Sequence, residues 1–179
     1  MAEYRRWLPH YQPEGEYLFV TWRLHGPLPV PPADVIYATP GHAFAAQDRA
    51  LHKQCGALWL SDTRVARHVA DTICDGERRQ GFYELQAWVV MPNHLHLLIL
   101  PQVAIPKITH WIKGRTAREA NRLLGRAGAP FWQHESYDHW VRSQKELHRI
   151  ARYIEENPVS AGLAAAPEDW LWSSATRAR

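Results

Sequence analysis

Trp88-Val89-Val90-Met91-Pro92-Asn93-His94-Leu95-His96-Leu97-Leu98-Ile99-Leu100 is the stretch on which the reading of this chain turns. Two histidines stand inside an apolar run with one leucine between them. Successive side chains of a β-strand point to opposite faces, so His94 and His96 share one face and Leu95, Leu97 and Ile99 share the other. The leucine face suits a core, and the two imidazoles project together into a cleft. Neutral imidazole is a common ligand of divalent metals, and two from one strand are already aligned for one ion. Asn93 adds a polar group where the strand begins. The plain alternative is a chance alternation of histidines on a half-exposed strand, so the rest of the chain has to decide.

The chain has 179 residues, of which 46% are hydrophobic and 11% aromatic, enough for one domain with a sizeable core. Nine tryptophans can serve that core or stack on bases. A formal charge of +3 permits nucleic acid as a partner without requiring it. Cys55 and Cys74 have no zinc-ligand spacing and suit a reducing compartment. The start, Met1 to Trp7, lacks an apolar signal region, and the run from Trp88 to Leu100 is too short to cross a bilayer. A soluble, cytoplasmic protein without a membrane partner is expected.

Outward from the histidine strand, Tyr83 to Val90 alternates as its hairpin partner, with Pro92-Asn93 as the turn. Upstream, Tyr17 to Leu24 is β-branched and aromatic and predicts a first strand. Ser61 or Asp62 is a candidate N-cap for a helix through Val65, Val69 and Ile73. Downstream, Pro106 fits the first turn of a long helix ending near Gly125. Phe131 to His134 predicts a short strand, and Tyr137 to Val141 a strand or loop. Gln144 to Asn157 predicts a helix stopped by Pro158. This order predicts an α+β, ferredoxin-like antiparallel sheet with helices packed mainly on one face. The expected divisions are an N-terminal arm over 1–16, a domain over 17–165 and a tail over 166–179. The domain carries a proline-rich surface excursion over 26–60, within which Ala43 to Gln54 predicts a short helix.

Two helices carry further patterns. Leu147, Ile150, Ala151 and Ile154 recur at helical spacing, Tyr153 lies at the edge of that apolar stripe, and Asn157 follows one turn on. Tyr153 is either an amphipathic boundary residue or a hydroxyl presented to a cleft. On the helix from Pro106, Lys107, Trp111, Arg115, Arg118, Arg122 and Arg126 fall within an arc of roughly 100°. That stripe is either a solvated face or a track for a phosphate backbone. Arg5, Arg6 and Trp7 in the arm offer the same two readings.

Asn93-His94-Leu95-His96-Leu97-Leu98 resembles the histidine–hydrophobic–histidine (HUH) motif of single-tyrosine transposases. Tyr153-Ile154-Glu155-Glu156-Asn157-Pro158-Val159-Ser160-Ala161-Gly162-Leu163 resembles the tyrosine-helix motif of one branch, the REP-associated tyrosine transposases. Phe131-Trp132-Gln133, Tyr137-Asp138-His139-Trp140-Val141-Arg142 and Trp111-Ile112-Lys113-Gly114-Arg115-Thr116-Ala117 look like the segments around these motifs. The matches run in order from about residue 4 to 163, although Gly26 to Leu60 does not align. The resemblance implies a ferredoxin-like fold and a Mg²⁺ or Mn²⁺ ion on His94 and His96, with Asn157 in the place of the family's polar metal-side residue. It implies Tyr153 as the nucleophile that forms a 5′-phosphotyrosine on single-stranded or hairpin DNA. Arg5, Arg6, Trp111, Lys113, Arg115, Arg118 and Arg122 are the candidate DNA contacts. No general base for Tyr153 emerges, and a monomer and a homodimer both fit. The rival readings are a non-catalytic DNA-hairpin-binding protein on the same fold and a zinc hydrolase, which lacks a third ligand beyond Asn157.

Overall fold

A computed structural model describes residues 15–27, 48, 50–52 and 56–178. Four strands form one sheet: β1 (Leu18–Arg23), β2 (Tyr83–Val90), β3 (His94–Pro101) and β4 (Tyr137–Trp140). Three long helices accompany it: α1 (Thr63–Arg78), α2 (Ile105–Leu123) and α3 (Gln144–Ser160). The strand order is β2-β3-β1-β4, and every neighbouring pair is antiparallel. The expected ferredoxin-like arrangement is therefore present, with β1 and β3 at its centre. Residues 1–14 of the expected arm over 1–16 and most of the expected excursion over 26–60 lie outside the described residues. Within that excursion Asp48, Ala50, Leu51 and His52 are helical.

Strand alternation divides the apolar side chains into two cores. Leu18, Val20 and Trp22 of β1 and Leu95, Leu97 and Ile99 of β3 meet α1 and α2 on one face. Phe19 of β1, Ala87 and Val89 of β2 and Leu98 of β3 meet Leu147, Ile150 and Ile154 of α3 on the other. His94 and His96 have the parity of Leu98, so they face α3. Asp62 caps α1 through its side chain and Ser143 caps α3, each satisfying a backbone donor of the first turn. Gly76 leaves room for Tyr83, whose hydroxyl donates to the Ile73 carbonyl at 2.6 Å; a Cβ on Gly76 would collide with that hydroxyl.

Three details differ from expectation. Pro158 does not stop α3, which runs on to Ser160. A proline so near the end removes one hydrogen bond in the last turn, and Pro158 is buried there. Phe131 to His134 is not a strand: Trp132 makes only an isolated bridge to Leu24, beyond the end of β1. The tryptophan-rich tail lies along the free edge of β2: Val90 N–H donates to the Trp172 carbonyl at 2.8 Å, and Ser173 bridges Val89. Covering an edge in this way removes a row of unpaired backbone groups. Among the described residues no helix is long and apolar enough to cross a membrane.

Candidate active site

The turn before β3 sets the chemistry of the first imidazole. Asn93 donates through Nδ2 to the Leu51 carbonyl at 2.9 Å, which turns its Oδ1 towards His94 Nδ1 at 2.6 Å. An amide oxygen only accepts, so His94 Nδ1 carries the hydrogen and Nε2 keeps its lone pair. His94 is fully buried, and this burial, aided by the neighbouring His96, pushes its pKa down to about 3. Its imidazole is therefore neutral near pH 7. His96 stands two residues on, and its Nδ1 lies 2.6 Å from Thr21 Oγ1 of β1. Both nitrogens left over are Nε2 atoms on the α3 side of the sheet.

They converge on a residue that the sequence did not flag. Asp48 Oδ1 is 3.4 Å from His94 Nε2 and 3.2 Å from His96 Nε2, and all three residues are buried. Its other oxygen, Oδ2, accepts from the Tyr153 hydroxyl and, at 3.3 Å, from Asn157 Nδ2. His52, one turn after Asp48, places Nε2 3.3 Å from Oδ2. Burial alone would raise the Asp48 carboxyl. The histidines around it, His96 foremost and then His52, hold it well below the usual carboxylate range. The hydrogen bond to Asp48 in turn raises His52, against its own desolvation.

Two buried atoms in this cluster have no hydrogen-bond partner among the described residues: His94 Nε2 and Asp48 Oδ1. They face each other as two lone pairs. Burying such groups unpaired costs free energy, and a cation between them turns repulsion into coordination. Ligand atoms of Asp48, His94 and His96 all lie within 4.8 Å of one another. One carboxylate and two imidazoles, with positions left open, fit a divalent ion that also binds substrate.

Tyr153 reaches the cluster from α3 of the same chain. Its ring stands edge-on to Phe19 at 6.2 Å and lies 5.7 Å from His96. Asn157 is buried one turn on, with Oδ1 accepting from His52 Nε2 at 3.1 Å and Nδ2 3.4 Å from His96 Nε2. Tyr153, His94, His96 and Asn157 thus lie together, joined by Asp48 and His52. The signal for those two was an i,i+4 Asp–His pair flanking the buried Leu51. The proline-rich stretch before it obscured that pair.

The candidate DNA contacts lie elsewhere. Arg5 and Arg6 fall outside the described residues. Arg115, Arg118 and Arg122 are exposed on α2, which covers the sheet face opposite the histidines. Arg122 is paired with Glu119 at 2.6 Å, and Arg115 lies 4.0 Å from Asp75. Trp111 is half-buried, edge-on to Phe82 at 5.5 Å. Lys113, expected at a phosphate, donates instead to the carbonyls of Gln133, His134 and Glu135 at 3.0, 2.9 and 3.3 Å. An ammonium has three hydrogens, so this one is fully engaged. Nearer the site, α3 exposes Lys145, His148, Arg149 and Arg152 on its outer face.

Comparison with known proteins places these features in a family. The family described as "Transposase IS200 like" matches residues 59–157, more than half of the chain. A REP-associated tyrosine transposase from Escherichia coli K12 is 29% identical over 127 residues, covering 69% of this chain and 71% of that protein. A relative from Haemophilus influenzae is 29% identical over 104 residues, covering 51% of this chain and 58% of its own. Among solved structures, a REP-associated tyrosine transposase bound to a REP hairpin superposes with a TM-score of 0.61 at 23% identity. That match covers 99% of this chain and 84% of the other.

Proposed function

The chain belongs to the IS200-like transposases, and we propose that it is a metal-dependent single-stranded DNA endonuclease and strand transferase. In this reading it acts on hairpin-forming DNA through a covalent 5′-phosphotyrosine at Tyr153. The observation that carries the reading is the Asp48 carboxylate, which accepts from the Tyr153 phenol on one oxygen and faces both Nε2 atoms with the other. The hairpin is proposed because the related solved structure carries one.

His94 Nε2, His96 Nε2 and Asp48 Oδ1 would hold Mg²⁺ or Mn²⁺, with Asn157 beside them. Such an ion, when bound, supplies Lewis-acid polarisation of a phosphate oxygen. The chain's own residues do the remainder. Asn93 fixes the His94 tautomer, and Thr21 fixes the His96 ring. Phe19 and His96 confine the phenol, so the attacking oxygen is positioned before substrate arrives. A phenol with a pKa near 10 is a weak nucleophile at neutral pH and needs a proton acceptor. Asp48 Oδ2 already receives that hydrogen bond. As the Tyr153 oxygen bonds to phosphorus, the phenolic proton, oriented until then by Asp48 Oδ2, is lost to solvent. The bond from phosphorus to O3′ breaks, and its electron pair leaves as a 3′ oxygen that takes up a proton. The phosphotyrosine ester conserves the energy of the broken bond, so a second 3′-hydroxyl can displace Tyr153 without ATP.

The test is incubation with an end-labelled hairpin oligonucleotide and Mn²⁺, resolved on a denaturing gel. The wild-type chain is expected to form a protein–DNA adduct that Tyr153→Phe abolishes. Tight, salt-sensitive binding with no adduct from the wild-type chain would instead identify a non-catalytic hairpin-binding protein.

A further inference from the structure

Arg23 is the last residue of β1. By strand alternation it shares a face with Phe19 and Thr21, the residues that touch the Tyr153 and His96 side chains. Its cross-strand partner is His94. Residues directly opposite in an antiparallel pair have Cβ atoms roughly 5 Å apart, so the Arg23 side chain leaves its strand beside that of His94. Its Nη1 donates to the carbonyls of Leu24 at 3.1 Å and Gly26 at 2.8 Å, which pin it at the end of the strand.

No carboxylate among the described residues neutralises it. Among the described residues its side-chain hydrogen bonds run to backbone carbonyls, and burial disfavours its charge. A half-buried, pinned cation with no carboxylate partner among the described residues is costly to keep unless an anion visits. Its planar fork matches two phosphate oxygens, and the same end of the sheet holds the histidine pair. Resting on the transposase reading above, we infer that Arg23 is a further catalytic residue that binds a non-bridging oxygen of the scissile phosphate. There it neutralises the charge that grows as the Tyr153 oxygen bonds to phosphorus and the bond to O3′ breaks. The arginine neither gains nor loses a proton in that step.

The experiment compares single-turnover adduct formation on two hairpins, one with a normal phosphodiester at the cleavage point and one with an uncharged methylphosphonate there. Arg23→Gln is expected to slow the phosphodiester reaction about 100-fold, the size of effect seen when one oxyanion donor is removed. The same variant is expected to match wild type on the methylphosphonate and to bind the hairpin as tightly. Arg23→Lys should retain part of the phosphodiester rate. Equal losses on both substrates would mean a merely structural role and overturn the inference, as would no loss on either. Failure of the wild-type chain to form any adduct would overturn the transposase reading and this inference with it.

Discussion

A single carboxylate joins what the sequence presented as two separate motifs. His94 and His96 were legible because strand alternation forces their side chains to one face, and Tyr153 and Asn157 because one helical turn separates them. Asp48 was not legible, since no local periodicity around it encodes which side chains of the sheet it meets. Asn93 shows how a neighbouring amide prepares a ligand: it sets the His94 tautomer through a 2.6 Å contact and is itself held by the Leu51 carbonyl. Groups that orient ligating histidines typically change metal affinity by about 10–100-fold when removed. Asn93→Ala is accordingly expected to weaken Mn²⁺ binding by that order in calorimetric titration. An unchanged affinity would mean that the imidazole needs no such orientation.

At the scale of elements, α3 carries Tyr153 and Asn157 and is held by contacts at its start and near its end. Ser143 caps its start by accepting from Glu146 N–H at 3.2 Å. Ser174 of the tail ties it to the sheet edge by donating to Glu155 Oε1 at 2.9 Å. Losing a serine N-cap usually costs about 1 kcal/mol. Ser143→Ala should therefore lower unfolding free energy in urea by about that much, while adduct formation at the far end of the helix is retained. The helices were readable from apolar spacing and caps; the exact stop of α3 was not, because a proline in a last turn breaks too little to end it.

Helix α2 offers a pH-dependent prediction of its own. Burial pushes the Lys113 ammonium down to about 8, from 10.5. Between those values the unfolded chain holds the extra proton, so stability rises with pH across that window. Lys113→Met should remove this component of the slope in thermal melts taken from pH 8 to 10. A slope identical to wild type would show that Lys113 titrates normally. The charge pattern on this helix was visible in the sequence, but which cations are free was not, since Gln133, His134 and Glu135 come from another segment.

For the whole molecule, one chain supplies the imidazoles, the carboxylate and the phenol. Exchange of α3 between two copies is unnecessary for a complete site, so the reaction should proceed in cis. Mixing Tyr153→Phe with His96→Ala is expected to yield no adduct, whereas recovered activity would show that the tyrosine acts in trans. The sheet also separates two basic surfaces. Arg115, Arg118 and Arg122 lie behind it, and Lys145, His148, Arg149 and Arg152 lie on the tyrosine helix itself. The ferredoxin-like order was evident from the succession of elements, whereas the side of the sheet to which each charged face turns emerged only once α3 and α2 were placed on opposite faces.

The central claim is that two imidazoles and Asp48 form a divalent-ion site touching the Tyr153 phenol. Anomalous diffraction from crystals soaked in Mn²⁺ tests it most directly. One strong peak is expected within coordinating distance of His94 Nε2, His96 Nε2 and the Asp48 carboxylate, lost in His96→Ala. A saturating soak that leaves this position without a peak, or that places the ion away from the histidine pair, would contradict it.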